Sequence, residues 1–190
     1  MKTGMRATLR SLVRAPAAQA VSEDRLIAAA QRGEASAFDA LAGLHAEALG
    51  RFVRRRVAVD HVDDVVQETW IAVWSSLPRY TEKARFRTWL YAIAANKCRD
   101  LHRRQSTDEL GDEVSVEERE YGRLELRHVV GQVMNDLDPV HREVLEMYYF
   151  EELNLSEIAT VTGRNLNTVK YQFYRAHKEF ASRMEANDAS

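Results

Sequence analysis

Two stretches of this chain combine side chains whose types and spacing suit the binding of nucleic acid. The first runs from Leu155 to Lys178. A helix-turn-helix needs a small residue where its two helices cross, and Ala159 supplies it; four residues later Gly163 supplies the tight turn. Leu166, Val169 and Phe173, three and four apart, anchor the inner face of the second helix. Its outward face then carries Asn167, Thr168, Lys170, Tyr171, Gln172, Tyr174, Arg175, His177 and Lys178, which can reach phosphates and base edges. A helical hairpin with a solvated polar face is the plainer alternative. It does not explain why five Lys/Arg stand against three acids from Leu155 to Ala186, when Asp138 to Asn154 has five acids and one arginine.

The second stretch interleaves cations with aromatic rings: Arg79, Tyr80, Lys83, Arg85, Phe86 and Arg87, followed by Asn96, Lys97, Arg99 and Arg103. Eight Lys/Arg face two acids between Arg79 and Arg104. A basic groove with rings for unstacked bases is what single-stranded DNA requires. Not every ring belongs to that surface. Trp89, Leu90 and Ile93 share one apolar face and read as core, as do Trp70 and Trp74. A third group, Asp63, Asp64, Gln67 and Glu68, places polar side chains on an otherwise apolar helix. Enzymatic signatures are missing: there is no His-Glu-x-x-His, phosphate loop or nucleophile elbow. His45, His61, His102, His128, His141 and His177 are scattered, so neither a metal nor a cofactor is expected.

The elements that hold these groups are all expected to be helical. Ala, Leu, Glu and Arg dominate, prolines number three, and no β-branched alternation competes. Ser22 is a candidate N-cap for a first helix that Gly33 ends, and Asp60 is another, ahead of the helix that Pro78 stops. A further helix spans Phe86 to about Arg104, and Asp138-Pro139 is a matched helix start. The fold class is all-α: two small helical domains, 22–104 and 123–186, the second a helix-turn-helix domain.

Between them, 105–122 is acidic, poor in large apolar residues, and expected to be a flexible linker. On composition its acids read as a solvated spacer. The basic segment 1–21 is expected to be a mobile tail, too broken in its apolar positions for a signal peptide. The formal net charge of −2 hides this segregation of charge. One cysteine, Cys98, fits a reducing cytoplasm and reads as a buried core residue rather than a redox switch. No apolar run is long enough to insert in a membrane.

Three motifs occur in a telling order: Asp63-Asp64-x-x-Gln67-Glu68, then Thr88-Trp89-Leu90-x-x-Ile93-Ala94-x-Asn96, then the terminal helix-turn-helix. Together, from about Asp24 to Met184, they closely resemble extracytoplasmic-function (ECF) sigma factors. The resemblance implies a non-enzymatic subunit that binds core RNA polymerase through Asp63, Asp64, Gln67 and Glu68. It also implies promoter DNA as partner. The −10 element would be read as a melted strand by Arg79 to Arg103, and the duplex −35 element by the last helix. An anti-sigma factor is implied as regulator, with no small-molecule substrate. The sequence departs from the usual pattern at Asn167, where a glycine is common, at Tyr171, where a small residue is common, and at Gln172. A duplex-binding regulator independent of polymerase, and an interaction protein without a DNA role, are the competing readings.

Overall fold

Helix formation follows the composition throughout. The computed structural model describes residues 18–108 and 125–188, and among these every regular element is a helix. They are α1 (Ala18–Gln31), α2 (Ala35–Arg54), α3 (Val62–Ser76), α4 (Phe86–Asp108), α5 (Glu125–Asn135), α6 (Pro139–Tyr149), α7 (Leu155–Thr162) and α8 (Leu166–Asp188). Short 3₁₀ turns at Val59–His61 and Leu77–Arg79 lead into and out of α3. No described helix is long and apolar enough to cross a membrane.

Several expected punctuation marks are found where the chain chemistry puts them. Gly33 closes α1 at φ 89°, a left-handed conformation that a side chain would strain. Asp138 Oδ1 accepts a hydrogen bond from Val140 N at 2.9 Å with Pro139 in the first turn, so α6 starts as expected. Other boundaries move. The first helix begins at Ala18, four residues before Ser22, because Ala18, Gln19 and Ala20 are good helix formers with no breaker among them. Asp60 caps nothing: it sits inside a 3₁₀ turn and α3 starts at Val62. Helix α4 continues to Asp108, so the first residues expected in the linker are helical. The rest of that linker, and residues 1–17 of the tail, lie outside the described residues.

The helices of both halves share one core. Leu41, Leu49, Phe52 and Val53 of α2, Val65 and Val73 of α3, and Leu90, Tyr91 and Ala94 of α4 are buried together. Met147, Leu153, Ile158, Val161 and Val169 from the C-terminal half belong to the same cluster. Each Leu, Ile, Val, Phe or Met side chain among them contributes about 1.5–3 kcal/mol when fully withdrawn from water. A smaller cluster of Met134, Leu137, Leu145 and Ala176 holds α5, α6 and α8 to one another. Cys98 is 3 % exposed, and burial pushes its thiol up to about 11, so it packs as a small apolar residue.

Two His–carboxylate bonds tie helices across this frame. His45 meets Glu23 at 2.8 Å between α2 and α1, and His141 meets Glu179 at 2.7 Å between α6 and α8. The hydrogen bond from each histidine holds its carboxyl below the ordinary 4.5. A carboxyl depressed by folding contributes stability above its unfolded value and loses it as pH falls through the folded one. Glu179→Gln should therefore flatten the fall in melting temperature below about pH 4.5, measured by circular dichroism across a pH series. An unchanged acid limb would show that the Glu179 bond contributes nothing to the linkage.

Candidate nucleic-acid interface

The helix-turn-helix is built from its caps outward. Asn154 accepts from Ser156 N and Glu157 N at 3.0 Å, while Glu157 Oε2 accepts from Asn154 N at 2.9 Å, a complete capping box for α7. Gly163 ends α7 at φ 69°. Arg164 in the turn reaches back to Glu143 of α6 at 2.7 Å, and Asn165 Oδ1 accepts from Asn167 N at 2.8 Å as α8 begins. Val169 and Ala176 are fully buried and Phe173 is half-buried against them. That leaves Asn167, Thr168, Lys170, Tyr171, Tyr174, Arg175 and Lys178 exposed on the opposite face. Tyr171 and Tyr174 are 63 % and 68 % exposed, and the Arg175 guanidinium lies 6.0 Å from the Tyr171 ring. His177 is a correction. Its Nε2 bonds the Tyr149 hydroxyl at 2.9 Å and its ring packs 4.5 Å from Phe173, so it faces α6 and not the groove-reading side.

The basic loop and α4 divide in the same manner. Arg79, Lys83, Arg85, Asn96, Arg99 and Arg103 are exposed and Arg87 is half-buried. Tyr80 and Phe86, expected among the DNA-facing rings, are 8 % and 3 % exposed. Tyr80 donates to Ala84 O at 2.6 Å and stacks obliquely on Trp89 at 4.8 Å; Phe86 lies 5.7 Å from Trp89. Both rings brace the 81–85 loop from inside, because the apolar face of α4 begins at Phe86 itself. Burial raises the Tyr80 phenol, consistent with that role.

The acidic group on α3 also splits. Asp63, Asp64 and Gln67 are exposed, but Glu68 turns toward α4, 3.4 Å from both Arg104 and Lys97. The Arg104 bond foremost, with Lys97, holds its carboxyl below the ordinary value. Asp63 and Gln67 rim an open apolar groove of about 530 Å³ lined by Phe38, Val66, Trp70, Ile71 and Trp74. Ile71 and Trp74 are 59 % and 40 % exposed, so Trp74 is not the core residue expected. The groove went unseen in the sequence although α3 carries a signal for it. Val62, Val65, Thr69 and Val73 fill its inner face, so its remaining large apolar residues must lie outside.

This arrangement matches known proteins over nearly all of its described length. The model of sigma-70 region 2 matches residues 41–107, and that of sigma-70 region 4 matches residues 127–180. The chain belongs to the sigma-70 family of RNA polymerase sigma factors. It is 31 % identical to the sigma factor NccH of Alcaligenes xylosoxydans xylosoxydans, over 87 % of this chain and 96 % of that one. Identity to CnrH of Cupriavidus metallidurans is 32 %, over 86 % and 95 %. The ECF sigma-E factor of Escherichia coli is 25 % identical over 87 % and 95 %. Among solved structures, CnrH in complex with the cytosolic domain of CnrY superposes with a TM-score of 0.63 at 28 % identity, covering 87 % and 98 %. RpoE of Bartonella quintana, solved with the anti-sigma factor NepR, shares the fold: TM-score 0.61, 21 % identity, 78 % and 96 % covered. The protein is thus an ECF-type promoter-recognising factor of transcription initiation.

Within this sigma factor, polar contacts between the two halves were invisible in the sequence. Glu151, in the α6–α7 loop and 4 % exposed, accepts from Arg55 at 2.5 Å and from the Tyr91 hydroxyl at 2.8 Å. Glu152 beside it turns the chain at φ 51°. Tyr91 stacks on Phe52 at 4.4 Å and 8°, and Arg55 lies 4.9 Å from the Phe150 ring. Burial, with the Glu151 carboxylate next, drives the Tyr91 phenol far above its ordinary value. Among the described residues, no cluster of His, Cys, Asp and Glu is disposed to hold a metal.

Proposed function

We propose that α1–α4 of this sigma factor bind core RNA polymerase and the melted −10 strand, while α5–α8 read the duplex −35 element. Asp63, Asp64 and Gln67 with the apolar groove beside them form the polymerase contact, and Glu68 positions Lys97 and Arg104 behind it. Arg79, Lys83, Arg85, Arg87, Asn96, Lys97, Arg99 and Arg103 serve the melted strand. Asn167, Thr168, Lys170, Tyr171, Tyr174, Arg175 and Lys178 serve the major groove. The observation that carries this reading is the exposed face of α8, cationic and aromatic, backed by a buried Val169 and Ala176.

The factor is non-catalytic, acts in the cytoplasm, and has an anti-sigma factor among its partners. NepR bound to RpoE and CnrY bound to CnrH motivate that last assignment. Adding the factor to sigma-free core polymerase on a genomic promoter library should give discrete initiation sites, whose alignment yields both DNA elements. Lys170→Ala and Arg175→Ala should each weaken −35-dependent initiation by about 5- to 150-fold while sparing binding to core polymerase. Loss of core binding in either variant would overturn the division of labour.

A further inference from the structure

Residues 81–85, between the 3₁₀ turn at Leu77–Arg79 and α4, carry two of the cations assigned above to the melted strand, Lys83 and Arg85. Thr81, Glu82, Lys83 and Arg85 are exposed and Ala84 is half-buried. None of the five has a ring, and the rings on either side, Tyr80 and Phe86, are buried. The loop therefore cannot hold an unstacked base by stacking; it has only shape, charge and hydrogen bonds. Those discriminate a base edge only if the backbone keeps one form. What fixes that form comes from α1. Gln31, half-buried in its last turn, donates from Nε2 to Leu77 O at 3.2 Å and to Tyr80 O at 2.9 Å. Leu77 O also accepts from Tyr80 N at 3.0 Å, which closes the 3₁₀ turn, and at Tyr80 (φ −63°, ψ 125°) the chain becomes extended. Gln31 thus holds both ends of the turn from which the loop departs. The Tyr80 hydroxyl donates to Ala84 O at 2.6 Å, so the constraint passes on to the far end of the loop. Gln31 is itself held in place by the end of α1, where Gly33 N donates to Ala30 O at 2.9 Å.

We propose that Gln31 is a positioning residue for −10 recognition: its two hydrogen bonds hold residues 81–85 in the one form that fits the melted strand. The proposal rests on the −10 assignment given above. It adds α1 to that machinery from outside residues 41–107, the span that the region 2 model matches. Gln31 acts through the loop. The apparent affinity for a ligand falls in proportion to the fraction of protein in the competent form. A loop freed at Leu77 and Tyr80 samples many forms, and if about one in ten is competent the −10 strand binds about tenfold more weakly. Arg87, Lys97 and Arg103 lie on α4 and keep their places. Contacts to phosphates carry no sequence information, so binding of unrelated strands stays as it was. Loss of the Gln31 donors removes discrimination and leaves general affinity.

The test uses holoenzyme assembled from the full chain and core polymerase. The probes are a non-template single strand carrying the −10 element that the mapped initiation sites define, and the same strand with that element scrambled. Gln31→Leu keeps the size and removes the donors; the −10 strand should bind about tenfold more weakly and the scrambled strand as before. Gln31→Glu, which can only accept, should fail in the same way. Gln31→Lys, which can donate to both carbonyls, should return to within about threefold of the unaltered factor. Melting curves and affinity for core polymerase show that each variant is folded. Equal losses on both strands, no loss on either, or a Gln31→Lys variant no better than Gln31→Leu would each overturn the positioning role while leaving the −10 assignment intact. The assignment has its own control. Lys83→Ala combined with Arg85→Ala should weaken binding of both strands; if it weakens neither, the loop does not meet the melted strand, and the proposal falls with the assignment.

Discussion

Replacing Glu151 with alanine should part the two halves of the factor while leaving each half folded. The substitution leaves the Arg55 guanidinium and the Tyr91 hydroxyl facing an empty, buried space. Breaking a buried pair by removing one partner costs about 3–5 kcal/mol, chiefly because the surviving charge is left desolvated. Here the chain has an escape: Arg55 regains water if the α6–α7 loop moves away. The penalty is therefore capped by the free energy of closure, and opening is the cheaper response. Urea unfolding read by tryptophan fluorescence, which reports only the first half because Trp70, Trp74 and Trp89 all lie in α3 and α4, should no longer coincide with helix loss read by far-ultraviolet circular dichroism, which reports both halves. Glu151→Gln should act more mildly, because an amide oxygen still accepts from Arg55 and Tyr91. A single transition shifted as a whole would mean that the halves unfold as one unit regardless of the clasp.

Ile71→Asp should weaken binding to core polymerase by at least about 30-fold without changing the melting temperature. Interface energy concentrates in a few central apolar or aromatic anchors, each worth about 2 kcal/mol or more, while rim charges contribute less. Ile71 and Trp74 have that position in the groove, and Asp63 and Gln67 have the position of the rim. Because Ile71 is 59 % exposed in the free factor, a carboxylate there costs the fold little. Asp63→Asn should reduce affinity only slightly and mostly through a slower, salt-sensitive association rate. Affinity for fluorescently labelled core polymerase measures both. If Asp63→Asn proved the more damaging, the acidic side chains and not the groove would be the anchor.

The helix-turn-helix was legible because its signals are local. A capping residue, a glycine four positions after an alanine, and anchors three and four apart each act within one or two helical turns. The same holds for Gly33 and for Asp138-Pro139. Side chains failed to follow the pattern where two faces of one helix both carry rings or charges. His177 lies one residue from buried Ala176, and only the placement of Tyr149 and Phe173 decides that its ring turns inward. Tyr80 and Phe86 look like stacking platforms beside Arg79 and Arg85. Whether a ring beside a cation is outside or inside depends on how α4 sits against α2, which no local rule supplies. Glu68 is drawn to Arg104 and Lys97 from a helix 29 and more residues away, as hidden from periodicity as the Glu151 clasp.

The outer face of α8, with its cations and rings, was set by the sequence alone: the apolar period decides which side of the helix is buried and so which is offered to DNA. The all-α class and the order of the three motifs were set in the same way, by propensity and spacing. Tertiary structure alone decided that α7 lies on α4 and that Arg99 donates to the Thr162 carbonyl. It also decided that α3 keeps a second apolar face open beside Asp63. The physical reason is range. Caps, turns and amphipathic faces are decided by neighbours a few residues apart, whereas the contacts between Glu157 and Thr88, or Glu151 and Arg55, join side chains 69 and 96 residues apart. Such contacts exist only once two separately formed helical units have found a common core.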